Sequence, residues 1–351
     1  MADPLVAAAV ANWGPRFVLR GVDFNDFLAT TGRIESWSGW LDAWVDTGNR
    51  HCRLGEEAEV RGHHLTAGEA FVRAAVCYHF AKFLWLEDEA RYRATTRLSS
   101  LTLQRALRLL DPTWERVEVP YQGSVLPANL RRPPGGRRSP LVLLIPGLDS
   151  TKEEFFHWEN AYLKRGLATL SLDGPGQGEG GYDLPIEPAY EKPVSALLDH
   201  LAGRADLDLD RVGVAGVSLG GYYAPRALAF EPRLRAGIAL SGTYNLGRRL
   251  DLLPPMQIRK VAYHFHARDE QEARQKALGL DLEGVAEKIE QPLLVVSGED
   301  DRLMEASGSR RLAAEARRSE LWMIPGGNHG VTNQPYLHVA QAADWIREKL
   351  G

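Results

Sequence analysis

The chain has 351 residues, of which 44% are apolar and 25% charged, and its formal net charge is -4. That balance belongs to a globular protein long enough for one large domain and an accessory one, and so small a charge argues for no polyanionic partner. Arg131-Arg132 and Arg137-Arg138 flank Pro133-Pro134-Gly135-Gly136 and read as a solvated loop, not the basic face that nucleic acid requires. Cys52 and Cys77 have no CxxC spacing, which fits a reducing compartment better than a disulfide scaffold. The first residues carry Asp3 and no basic stretch ahead of their short apolar run, which argues against a signal peptide. No run of about eighteen apolar residues is present to span a membrane, so the expected setting is the cytoplasm, without membrane association.

Along the chain, the character changes near Pro112. Before it, apolar residues recur at helical spacing: Phe71, Ala74, Ala75, Tyr78 and Phe83 stripe a predicted helix over 67–86, and a further helix is expected over 90–110. Trp37, Trp40 and Trp44 share that spacing and read most simply as core. Residues 1–112 are therefore an expected all-helical domain. After Pro112, Val117-Glu118-Val119 and 125–130 flank Gln122-Gly123-Ser124 as a hairpin. Apolar strand runs follow at 141–145, 168–172, 212–215, 236–240, 293–296 and 321–324, separated mostly by helices near 152–165, 188–203, 219–230, 306–317 and 335–350. Short, fully apolar strands spaced by helices imply a mostly parallel sheet covered on both faces, and an antiparallel hairpin leading into it is the order of the α/β-hydrolase fold. Residues 113–351 would form that eight-stranded catalytic domain. The alternation breaks over 245–291, which reads as a small helical insertion after the sixth strand, where the fold carries a lid.

Chemistry concentrates at the predicted strand ends. Gly216-Val217-Ser218-Leu219-Gly220 lies between an apolar strand and a helix, the context a G-x-S-x-G nucleophile elbow requires. A serine hydroxyl needs a base, and His329, in Pro325-Gly326-Gly327-Asn328-His329-Gly330 after the last strand, is placed to serve. The acid should follow the preceding strand, within Ser297-Gly298-Glu299-Asp300-Asp301-Arg302. Spacing selects Asp301, with Asp300 as the alternative. Oxyanion donors are expected at the backbone N–H groups of Leu219 and Leu148. Asp149 has two readings: a cap for the following helix with Glu153 or Glu154 closing a capping box, or a carboxyl group that binds substrate or moves a proton. Asp173-Gly174-Pro175-Gly176-Gln177-Gly178 does not match a dinucleotide fingerprint and reads as a turn at the sheet's carboxyl edge. His264 and His266 suggest no third ligand, so no metal and no cofactor is expected.

With these residues in view, the chain resembles the 2,6-dihydroxypseudooxynicotine hydrolase branch of the α/β-hydrolases, a group similar to fungal polyketide-shortening hydrolases and fermentation-respiration-switch esterases. The likeness rests on Trp37, Trp40 and Ala67-Gly68-Glu69, on Gly147-Leu148-Asp149-Ser150-Thr151-Lys152-Glu153-Glu154, on the segment 173–179, the elbow and His329. It implies a helical N-terminal cap domain and cofactor-independent cleavage of a carbon–carbon bond in a small ketone, aromatic or polyketide-like. That branch carries a glutamate where this chain has Asp149, one bond shorter, so the exact substrate need not transfer.

The expected function is a serine hydrolase acting through an acyl-enzyme on a β-keto or aryl-ketone substrate. A carboxylic-ester hydrolase or acyltransferase would use the same three side chains, and a non-catalytic receptor on the same fold would have no need to keep them. The helical N-terminal domain also offers surface for a homodimer.

Overall fold

The computed structural model describes residues 3–135 and 138–351. Gly136 and Arg137 of the proline-glycine loop, and Met1 and Ala2, lie outside the described residues. The chain divides into two compact units: the first comprises residues up to Trp114 together with Glu153–His157, and the second comprises Glu115–Lys152 and Trp158–Gly351.

The first unit is helical: α1 (Pro4–Leu19), α2 (Phe24–Thr31), α3 (Trp40–Val60), α4 (His64–Lys82) and α5 (Glu89–Leu110). Asp3 caps α1 by accepting from Leu5 N, with Pro4 opening the helix, where its missing N–H costs nothing. α4 is buried on nearly every side, as a helix apolar around most of its girth should be, and α3 and α5 pack against it. Trp37, in a short 3₁₀ turn, and Trp40 and Trp44 of α3 are all buried, and Phe17 stacks on Phe80 beside them at 3.8 Å between ring centroids.

The second unit carries eight strands: β1 (Glu115–Tyr121), β2 (Ser124–Arg131), β3 (Ser139–Ile145), β4 (Ala168–Leu172), β5 (Leu207–Val217), β6 (Leu234–Leu240), β7 (Leu293–Gly298) and β8 (Ser319–Ile324). Their order in the sheet is β1-β2-β4-β3-β5-β6-β7-β8, antiparallel through β1, β2 and β4 and parallel elsewhere. The edge strand β1 alternates Val117, Val119 and Tyr121 inward with Glu118 and Pro120 outward, whereas β3 and β4 are buried along their whole length. This is the α/β-hydrolase fold.

The helices of this part of the chain are α6 (Phe156–Leu163), α7 (Glu191–His200), α8 (Gly220–Phe230), α9 (Leu246–Arg249), α10 (Pro255–His264), α11 (Glu270–Ala277), α12 (Ala306–Glu315) and α13 (Val339–Leu350). Three of them, α9 to α11, form the insertion between β6 and β7. Its base closes through an antiparallel bridge between Asn245 and Asp281, with Leu246 N donating to Leu280 O and Leu282 N to Tyr244 O. The expected helix over 152–165 is present as a 3₁₀ turn at Lys152–Phe155 followed by the short α6, and residues 153–157 group with the helical unit. The cause is Glu154, whose carboxylate accepts from Arg16 and Arg20 of the helical unit at 2.6–3.1 Å. Among the described residues no helix is long and apolar enough to cross a membrane.

Candidate active site

Ser218 sits between the end of β5 and the start of α8 with φ 61°, the left-handed region that costs a non-glycine residue roughly 1–2 kcal/mol. The crossing is too close for side chains: a Cβ on Gly216 would lie 1.9 Å from Gly220 O, and one on Gly220 would lie 2.2 Å from Ile145 O. Ser218 N donates to Leu240 O at 2.9 Å, tying the elbow to β6. The strain is thus over-determined by neighbouring backbone, and the half-buried hydroxyl stands at the sheet's carboxyl edge.

The loops after β7 and β8 bring the acid and the base together. His329 Nδ1 and Asp301 Oδ2 are 2.8 Å apart, while Asp301 Oδ1 accepts from Leu303 N at 3.0 Å and Met304 N at 2.9 Å. The Asp301 side chain is fully buried. Burial alone would raise its pKa, but His329 and the two backbone donors outweigh that and hold the carboxyl below its ordinary value. Asp300 is exposed and contributes only its N–H, to Gly327 O at 2.9 Å, which stitches the two loops together. Asp301, which spacing selects over Asp300, is the one joined to His329. The base is steadied from β6 as well: Ser241, itself at φ 47°, accepts Gly330 N at 2.9 Å. A Cβ on Gly330 would lie 3.7 Å from Val217 Cγ2, which brings the His329 loop to the residue preceding Ser218.

The loop after β3 passes directly over the elbow, since a Cβ on Gly147 would meet Ser218 Cβ at 3.0 Å and Oγ at 3.4 Å. Among the described residues, neither Leu148 N nor Leu219 N donates to a backbone carbonyl. Asp149 is buried beside them. Of the two glutamates offered to close a capping box, Glu154 lies instead against Arg16, Arg20 and His79, and Lys152 N, at the start of the turn, is taken by Asp173 Oδ1 at 2.8 Å.

Asp173 begins a supporting network that the sequence reading treated as a mere turn. Lys152 Nζ, fully buried, donates to Asp173 Oδ2 at 2.8 Å and Glu179 Oε2 at 2.6 Å, and Arg116 of β1 reaches Glu179 at 3.2 Å. Two cations, Lys152 and Arg116, thus face these two carboxylates. Burial pushes the Glu179 pKa up, but Lys152 and then Arg116 prevail and bring it down to about 2. A depressed pKa means stability that is full above the unfolded value and lost as pH falls through the folded one. Between pH 4.5 and about 2 the parent is expected to lose on the order of 3 kcal/mol through this group, a loss absent from Glu179→Gln. Denaturant midpoints against pH for both proteins check it, and parallel curves would rule it out. His264 and His266 do not pair as ligands: His266 Nε2 meets Gly181 O at 2.8 Å, and His264 is buried at the end of α10. Ser241 and Gln177, which hold the site's loops, had no motif to announce them.

Comparison with known proteins agrees with this fold. The family model described as esterase FrsA-like matches residues 25–351. The 2,6-dihydropseudooxynicotine hydrolase of Paenarthrobacter nicotinovorans is 35% identical over 341 residues, covering 97% of this chain and 92% of that protein. The 20-hydroxy-prefusarin hydrolase of Gibberella moniliformis is 35% identical over 246 residues, 65% of this chain and 58% of that one. The crystal structure of 2,6-dihydroxy-pseudo-oxynicotine hydrolase superposes with a TM-score of 0.89 at 33% identity, covering 97% of this chain and 96% of that chain. With the fold, the elbow and these matches together, the chain belongs to the FrsA-like esterase family of α/β hydrolases.

Proposed function

We propose that the chain is a cofactor-independent serine hydrolase that works through an acyl-enzyme and cleaves a carbon–carbon bond in a small β-keto or aryl-ketone substrate. One observation carries the mechanism: a fully buried Asp301 bonded to His329 Nδ1 at 2.8 Å, with the His329 loop and the strained Ser218 elbow both tied to the end of β6. Asp301 orients the ring, leaving Nε2 to take the Ser218 proton as Oγ adds to the ketone carbon. The oxyanion that forms is received by Leu148 and Leu219 N–H. Collapse restores the carbonyl, breaks the bond to the neighbouring carbon and leaves the electron pair there as an enolate, to which the proton held on His329 passes, leaving the imidazole neutral again. Water, deprotonated by His329, then attacks the ester of Ser218, releasing a carboxylic acid and returning the proton to Oγ.

Support for the bond type comes from 35% identity over nearly the whole chain to the pseudooxynicotine hydrolase, and from Asp149, a buried carboxyl group two residues beyond the glycine that faces Ser218. Carboxylic-ester hydrolysis is the second reading, favoured by the family match, and would use the same steps with an alkoxide leaving. The test is mass spectrometry after a fluorophosphonate probe, beside assays on p-nitrophenyl acetate and 1-phenyl-1,3-butanedione. Labelling at Ser218 with diketone cleavage is expected. Labelling with ester turnover alone would replace the carbon–carbon reading, and no labelling of an accessible site would remove the serine nucleophile. Asp149→Asn should lose turnover on the diketone by about 10²-fold or more, within the range of acid–base catalysis, and little on the ester. Equal losses on both substrates would assign Asp149 a structural role.

A further inference from the structure

The peptide joining Gly147 to Leu148 is rigid and trans, so its carbonyl and its N–H point in opposite directions. Gln177, fully buried, grips the carbonyl side of this loop: Nε2 donates to Pro146 O at 2.5 Å and to Gly147 O at 3.5 Å. Its amide orientation is set from the other end, where Oε1 accepts from the Tyr190 hydroxyl at 2.8 Å and Gly174 N at 3.3 Å. The inverted amide would set an oxygen against two carbonyl oxygens. Tyr190 is in turn held by stacking on Tyr223 at 3.9 Å.

This grip matters because of what surrounds Gly147. A Cβ there would press on Ser218 Cβ at 3.0 Å and Val217 O at 3.1 Å, and glycine leaves the adjoining peptide little steric barrier to rotating as a unit. A flipped peptide would turn a carbonyl oxygen toward the reacting centre where the Leu148 N–H is needed. It would repel the negative charge that develops there in place of stabilising it.

The geometry points to Gln177 as a positioning residue, which, on the serine-hydrolase reading above, locks the oxyanion loop with its Leu148 N–H turned to the site. Gln177→Met and Gln177→Leu abolish the donor, and methionine also keeps the length of the side chain. Tyr190→Phe keeps the stacked ring and removes only the hydroxyl that orients the amide. The measurements are kcat and KM on whichever of p-nitrophenyl acetate and 1-phenyl-1,3-butanedione the parent turns over, the inhibition constant of a trifluoromethyl ketone, and the melting temperature. Since one oxyanion donor is worth about 10²–10³ in kcat, the Gln177 variants should lose about 30-fold or more, with KM within about threefold. The trifluoromethyl ketone, which forms the tetrahedral adduct, should weaken by the same factor as kcat/KM. Tyr190→Phe should lose about three- to tenfold in kcat, as a partial loosening of the same donor. A folded Gln177→Met that keeps more than about a third of the parent kcat, or that changes KM alone, overturns the assignment. If Gln177→Met does not fold, an unchanged kcat in Tyr190→Phe overturns it. Labelled Ser218 with fully active Gln177 variants would sink this inference only, whereas an unlabelled Ser218 would sink the hydrolase reading beneath it.

Discussion

Ser218→Ala is expected to lower turnover by at least about 10⁴-fold without altering the fold, because the nucleophilic oxygen is the one group that no neighbour replaces. Alanine keeps the Cβ at φ 61°, so the backbone strain of the elbow stays and the change reads chemistry alone. Asp301→Asn should lose about 10⁴-fold for a different reason. The carboxylate accepts the Nδ1 proton of His329 at 2.8 Å and takes the N–H groups of Leu303 and Met304 on its other oxygen. An amide that kept the two backbone bonds through its oxygen would present NH₂ to His329, moving the ring proton to Nε2 and leaving no base for the serine. The double variant is the sharper measurement. Groups that act as a unit are not additive, so Ser218→Ala with Asp301→Asn should be no slower than Ser218→Ala alone. Purified variants assayed by single turnover would show this, and multiplicative losses would mean that Asp301 acts on something other than Ser218 through His329.

Glu154→Ala is expected to destabilise the helical unit by about 3–5 kcal/mol, the largest stability effect of any single substitution considered. Its carboxylate is fully buried and is held by Arg16 at 2.6 and 2.7 Å and by Arg20 at 3.1 Å, and both of these side chains are themselves largely buried. His79 at 3.2 Å does not share the charge at neutral pH, since burial and then Lys82 depress its pKa to about 4. Removing Glu154 takes away the charge it presents to two guanidinium groups that lie over the faces of Phe83 and Phe155. Glu154→Gln should cost less, because the amide oxygen still accepts one hydrogen bond. Burial raises the Glu154 pKa, but Arg16 and His79 more than reverse this and hold it well below the ordinary glutamate value. The stabilisation is therefore full above pH 4.5 and fades only well below it. Urea denaturation at pH 7 followed by circular dichroism tests the claim. A loss under about 1 kcal/mol would mean that the arginines escape to solvent at little cost.

How much of this could be read beforehand follows from the range of the interactions. The elbow is local: an apolar strand, a glycine two residues before Ser218 and another two after, and a helix behind it. A turn that tight admits few other residues, so the motif carries its own geometry. The order of Ser218, acid and His329 is equally legible, because parallel strands covered by helices deliver successive loops to one edge of the sheet. The choice between Asp300 and Asp301 was not settled by strand pattern, since both lie in the same short loop. Asp300 N bonds Gly327 O and Leu303 N bonds Asp301 Oδ1, contacts that exist only when the neighbouring loop is in place.

The expected helix over 152–165 is present as the 3₁₀ turn Lys152–Phe155 and α6, and what its local pattern did not show is the turn's pairing with the helical unit. Glu154 finds Arg16 138 residues away, and this charge pairing in a dry setting is not written in helix propensity. Gln177 is a plain polar residue in a glycine-rich turn until Pro146, Gly147 and Tyr190 surround it. Periodicity and short-range turn chemistry, both written within a dozen residues, sufficed for the fold class and for Ser218 and His329. The grip of Gln177 on the loop after β3 and the grouping of residues 153–157 depended on tertiary structure, because hydrogen bonds and ion pairs between distant segments have no signature in either segment alone.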